Sequence, residues 1–168
     1  QLTIDSTECI EVLLANVLNE EYIQVCQKLI PFILDIINNS LSQQLVEYSP
    51  QLYLALEILG YIVGASPGED SRDNFPSEVF TFIFPVLKNL IVRTNDDQIL
   101  QNSGEVFNNL LKRASKLFVE YVDEETKQSG MELLLEVANK FLSPELSDSA
   151  AMSCGLIVIS LFENFQEY

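Results

Sequence analysis

Downstream of Ser49-Pro50 the chain reads Gln51-Leu52-Tyr53-Leu54-Ala55-Leu56-Glu57-Ile58-Leu59-Gly60-Tyr61-Ile62-Val63, which places apolar residues on nearly every side of a helix. Serine followed by proline is an N-cap with Pro at the first helical position, where a missing N–H does no harm. A helix without a polar face is stable only when neighbours cover it on several sides. The chain must therefore build more than one layer of helices. A bilayer span needs about 20 apolar residues, and the two nearest candidates, 52–65 and 150–162, are shorter than that. Gly60 and Gly64, at GxxxG spacing, are expected to let a neighbouring helix approach closely.

The rest of the chain repeats helical punctuation. Asp5-Ser6-Thr7 opens a first helix, and Glu20-Glu21 a second that carries Cys26, Ile30, Ile33 and Ile37 and is expected to kink at Pro31. After a polar loop at 66–74, Pro76-Ser77-Glu78 starts a helix with Phe80, Ile83, Phe84, Leu87 and Ile91, again with an internal proline, Pro85. Asn95-Asp96-Asp97 caps a long helix to about Tyr121, in which Gly104 is a weak point of about 1 kcal/mol relative to alanine. Asp123-Glu124-Glu125 is read as the opening of another helix, with a buried stripe of Met131, Leu134, Leu135, Ala138 and Phe141. The last helix runs from about Ser147 to Phe165, and takes in Leu156-Ile157-Val158-Ile159.

Seven helices and no strand pair follow from this pattern. The openings at Asp5, Ser49 and Asn95 lie about 45 residues apart, the period of two-helix HEAT units. The expected fold class is all-α, a HEAT-repeat α-solenoid of about three and a half antiparallel helix pairs. Its units would span residues 5–48, 49–94, 95–142 and a partial 143–168. A compact helix bundle is the alternative.

Nine Lys plus Arg stand against 25 Asp plus Glu, a formal net charge of −16 with no histidine at all. Such a chain repels phosphates, which argues against direct nucleic-acid binding and favours basic protein partners. Without histidine the commonest general base and most metal sites are gone. No GxSxG elbow, phosphate loop or GxGxxG turn is present, and Asp70 and Asp73 lack EF-hand spacing. Cys9, Cys26 and Cys154 sit in apolar runs with no CxxC pairing, where cysteine behaves as a small hydrophobe. No enzyme, cofactor, metal site or membrane insertion is expected.

One surface draws attention. Glu125, Gln128, Glu132, Glu136 and Asn139 recur at three- and four-residue intervals, opposite the apolar stripe of the same expected helix. The pattern predicts an acidic ridge formed by Glu125, Glu132 and Glu136, with Asp35 on an earlier helix as an addition, either simply solvated or contacting a basic partner.

Several segments carry a family resemblance: Phe84-Pro85 within a helix, then Arg93-Thr94-Asn95-Asp96-Asp97, then Gln101-Asn102-Ser103-Gly104-Glu105, and finally Leu142-Ser143-Pro144-Glu145-Leu146-Ser147. The stretch from Pro76 to Phe165 resembles the karyopherin-β (importin-β) family of nuclear transport receptors. Within it, the chain looks most similar to the importin-9-like branch and its fungal import receptor for histones and TATA-binding protein. Ser103 stands where that branch has a glycine. The resemblance implies a middle HEAT-repeat fragment, mainly scaffold, of a receptor that shuttles between cytoplasm and nucleus. Its implied partners are basic cargo such as histones and TATA-binding protein, the GTPase Ran, and nucleoporins, all through the full-length protein. The family's Ran-binding helices and long acidic loop have no counterpart here, so no Ran or cargo residue is carried over. A free-standing HEAT-like adaptor or scaffold for protein–protein interaction is the alternative.

Overall fold

The computed structural model describes residues 9–10, 12, 19–43, 46–65, 75–144 and 146–165. Six helices are placed among them: α1 (Asn19–Leu41), α2 (Pro50–Gly64), α3 (Ser77–Arg93), α4 (Asp97–Glu120), α5 (Gly130–Phe141) and α6 (Asp148–Asn164). Cys9, Ile10 and Val12 are helical too; the remainder of the helix expected from Asp5, and the loop at 66–74, lie outside the described residues. No described helix is long and apolar enough to cross a membrane.

The helices form two layers. In one, α1 packs on α3 and α3 on α5; in the other, α2 packs on α4 and α4 on α6. Between the layers α1 meets α2, α3 meets α4, and α5 meets both α4 and α6. Each helix therefore touches only near neighbours, and the architecture is the all-α solenoid of HEAT type. Pro50, Asp97 and Asp148, the first residues of the second-layer helices, lie about 47 and 51 residues apart, a little longer than the spacing of about 45 expected from the sequence. Units cut at 49 and 95 pair α2 with α3 and α4 with α5. The packing joins α1 to α2 and α3 to α4 across those cuts, while α2 and α3 do not pack broadly.

Helix α2 is covered as its composition demands. Leu52, Leu56, Leu59, Ile62 and Val63 are buried, and Ser49 Oγ accepts the N–H of Leu52 at 3.1 Å. The helix has no basic residue in its last turn. Its terminal carbonyls are satisfied from outside instead: the buried Tyr22 of α1 donates to Ile62 O at 2.7 Å, and Arg113 of α4 donates to Gly64 O at 3.1 Å. Helix α1 ends in the same way, with Arg93 of α3 donating to Leu41 O at 2.6 Å and Gln43 O at 3.3 Å. These side chains supply both the missing hydrogen bonds and, from the arginines, positive charge at a helix C-terminus.

An aromatic cluster ties α3, α4 and the end of α6 together. Phe118 stands edge-on to Phe80 and Phe84, each with ring centroids at 4.8 Å, and to Phe165 at 6.2 Å. Both internal prolines, Pro31 and Pro85, lie within single continuous helices of the first layer. Among the described residues, an interruption of helical dihedrals falls at Ala114 of α4, a helix that has no proline.

The glycines differ from expectation. A Cβ on Gly104 would come within 2.7 Å of Ile157 Cδ1, so this position seats α6 against α4 and is more than a weak point. Gly60 and Gly64 are not squeezed: a Cβ there would meet Val106 Cγ2 at 3.6 Å and Asn109 Nδ2 at 3.8 Å, ordinary contacts. At Gly130, by contrast, a Cβ would run into the carbonyl oxygen of Phe118. Gly130→Ala is expected to lower stability by about 1–3 kcal/mol through overpacking. Gly60→Ala should raise it by about 0.5–1 kcal/mol through helix propensity. Urea unfolding of the two variants checks both signs.

Candidate functional site

The segment expected to open a helix at Asp123 folds otherwise. Asp123 Oδ1 accepts the backbone N–H of Glu125 at 3.1 Å, the N–H of Thr126 at 2.7 Å and the hydroxyl of Thr126 at 2.8 Å. This side-chain-to-backbone bonding competes with helix formation and makes a turn. Lys127 takes a left-handed φ of 61°, and Val122 pairs with Ser129 in an isolated antiparallel bridge. The helix begins seven residues after Asp123, at Gly130, behind a reciprocal capping box. There Glu132 N–H donates to Ser129 Oγ at 3.3 Å, and Ser129 N–H donates to Glu132 Oε2 at 2.7 Å. The Ser-x-x-Glu signature was present in the sequence; the acidic triplet before it drew the helix start too early.

This shift breaks up the expected ridge. Glu125 sits in the turn, outside α5, exposed, and its carboxylate takes no partner among the described residues. Glu132 is exposed but its carboxylate is bound in its own cap, which holds it below the usual carboxylate range. Glu136 lies across from α3, where Lys88 Nζ reaches its Oε2 at 2.6 Å and Gln128 donates to its Oε1 at 2.8 Å. The Lys88 ammonium, then Gln128, hold Glu136 below its ordinary pKa. Asp35 lies well away, on the rim of a groove of about 660 Å³ between α1 and α3 that also exposes Phe82. The apolar stripe is rotated as well: Leu133, Leu134, Val137 and Phe141 are buried, while Leu135 is 63 % exposed.

The residues that carry the family resemblance turn out to hold the stack together. Thr94, fully buried, donates its hydroxyl to Val46 O at 3.1 Å and accepts the N–H of Asp96 at 3.1 Å. Asp96 caps α4 by accepting from Gln98 and Ile99. Lys140 of α5 donates to Asn95 Oδ1 at 2.6 Å. With Arg93 on the end of α1, the Arg-Thr-Asn-Asp turn thus stitches three successive hairpins side by side.

Sequence reasoning missed two surfaces. One is a second groove, of about 590 Å³, between α2 and α4, lined by Tyr53, Glu57, Tyr61, Asn102 and Glu105 among others. The other is an apolar face beside α5 and α6 that includes Leu135, Leu142 and Phe162, the last 72 % exposed. Each lies between two helices, and residue spacing within one helix does not reveal it.

Asp123 is held below the usual carboxylate range as well, first by the N–H of Thr126 and then by its hydroxyl. A carboxylate with a depressed folded pKa stabilises the fold fully above its unfolded pKa, and that contribution is lost as pH falls through the folded value. Glu136→Gln should therefore be less stable than the parent at about pH 6, with the gap narrowing as pH falls below the ordinary carboxylate range. Urea midpoints of the two proteins followed from about pH 6 down into the acid range measure this difference.

No family model matches the chain. It is similar to importin subunit beta-5 of the yeast Saccharomyces cerevisiae, with 27 % identity over 168 residues. The match takes in 99 % of this chain and 15 % of the yeast protein, so the chain spans a small part of that relative's length, and the likeness supports kinship with the karyopherin-β receptors.

Proposed function

We propose that the chain is a segment of a nuclear import receptor of the importin-β type, of the importin-9-like branch, acting mainly as scaffold and catalysing no reaction. The complete protein carries basic nuclear proteins, among them histones and TATA-binding protein, through the pore and releases them under control of Ran. It meets nucleoporins on the way and shuttles between cytoplasm and nucleus. The observation that carries this reading is the likeness to importin subunit beta-5, which runs along essentially the whole chain. The nearest-neighbour helical stack and the net charge of −16 agree with it.

Glu125, Glu132 and Glu136, with Asp35, form the proposed acidic contact for such a partner. Two of the four carboxylates are already engaged within the fold, so their share is modest. Exposed ion pairs contribute about 0.2–1 kcal/mol each. Replacing Glu125, Glu132 and Glu136 by glutamine is expected to weaken histone binding about twofold to threefold at about 0.15 M salt. Glutamines at Glu20, Glu47 and Glu163 should change it less, and equal losses from both triples would remove the ridge from consideration.

The reading as a whole is tested with the complete protein. Ran loaded with GTP is expected to release a bound histone dimer, and Ran loaded with GDP to leave it bound. Histone binding indifferent to Ran in both states would instead favour a HEAT-like adaptor.

A further inference from the structure

Helices α2 and α4 run in the same direction: Gly60 faces Val106, while Gly64 faces Asn109 and, through its carbonyl, Arg113. The groove between them holds about 590 Å³. Two glycines form part of its α2 wall although packing does not require them, since a Cβ at either would make only ordinary contacts. Glycine destabilises a helix interior and is of use where another backbone must come close. The groove leaves that bare stretch of helix open.

The rest of the lining suits a particular visitor. Glu57 lies on the α2 side, its Oε1 accepting the Tyr53 hydroxyl at 2.7 Å, and the exposed Glu105 lies on the α4 side. Both carboxylates push the Tyr53 phenol pKa upward, Glu57 first through its hydrogen bond, which places the two acids in one electrostatic neighbourhood. No lysine or arginine lines the groove; the nearest arginine, Arg113, is turned onto the Gly64 carbonyl. Asn102 and Asn109 stand two helical turns apart on the α4 wall, about 10.5 Å of rise. That distance matches about three residues of extended chain, and each amide offers both donors and an acceptor to a passing main chain.

We infer that the groove between α2 and α4 takes an extended segment of a basic protein. Its main chain lies along Gly60 and Gly64 within reach of the Asn102 and Asn109 amides, and a Lys or Arg side chain enters between Glu57 and Glu105 beside the Tyr53 ring. Opposite charge supplies the attraction, and the ring face adds a cation–π contact. The inference rests on the reading of the protein as a receptor for basic partners and moves the main contact from the ridge to this groove.

Two variants separate the groove from the general acidity of the protein. Gly60→Met fills the groove with a good helix former, and Glu57→Gln with Glu105→Gln removes its charge while keeping hydrogen-bond acceptors. The probe is a fluorescein-labelled peptide of alternating lysine and glycine, read by anisotropy at about 0.15 M salt, with an alternating glutamate and glycine peptide as control. Each groove variant is expected to bind the lysine peptide about tenfold more weakly, and the Glu125/Glu132/Glu136 glutamine triple less than threefold more weakly. The melting temperature of Gly60→Met should be no lower than the parent's, so a loss of binding is not a loss of fold. Groove variants that bind as tightly as the parent, or no more weakly than the ridge triple, overturn the inference and leave the receptor reading standing. A parent protein that binds neither the lysine peptide nor histones overturns the receptor reading, and the groove inference with it.

Discussion

Helix α2 must bury residues on several sides and has no charged residue at its C-terminal end to quiet its own carbonyls. Both needs are met by the same two neighbours. Helix α1 covers one side and sends Tyr22 to the carbonyl of Ile62; helix α4 covers the other and sends Arg113 to that of Gly64. A buried carbonyl left without a partner costs about 1–3 kcal/mol, so the end of α2 is stable only with both neighbours in register. Packing and hydrogen bonding thereby select the same arrangement, and the rest of the stack extends from it in both directions.

The few cations are drawn into this scheme. Of nine, Arg93 and Arg113 serve carbonyls at helix ends, Lys88 meets Glu136 between α3 and α5, and Lys140 reaches Asn95. Lys88 is only 15 % exposed. Positive charge is thus used to join neighbouring helices, and the acids, in large excess, are left to dominate the surface. An acidic exterior speeds encounter with basic proteins at long range, while these four cations are engaged in joining neighbouring helices.

Much of this was legible beforehand. Phe80, Ile83, Phe84, Leu87 and Ile91 are all buried, as their helical spacing required, and Ser49, Asp96 and Ser147 cap the helices they precede. The failures share a cause. Asp123-Glu124-Glu125 has the composition of a helix start, but three bonds to one Asp123 oxygen hold it as a turn. Leu135 faces outward because the buried face of α5 runs through Leu133, Leu134, Val137 and Phe141. Glu136 looked free because Lys88 lies 48 positions away. Gly60 and Gly64 were read as a helix contact because local spacing cannot tell a tight seam from an open groove. Local patterns foretell elements well; what a side chain meets across layers is written in another part of the chain.

The side-chain hydrogen bonds that join different helices and their turns have a common reach. Tyr22 to Ile62, Lys140 to Asn95, Thr94 to Val46, Arg113 to Gly64 and Arg93 to Gln43 and Leu41 join residues between 40 and 52 positions apart. The chain thus closes its loops over about one repeat at a time, and none of these bonds waits on residues further along than the next repeat. A hairpin emerging from the ribosome finds its docking surface on the hairpin made just before it. The stack can grow in the order of synthesis, with no early segment kept waiting for a distant partner.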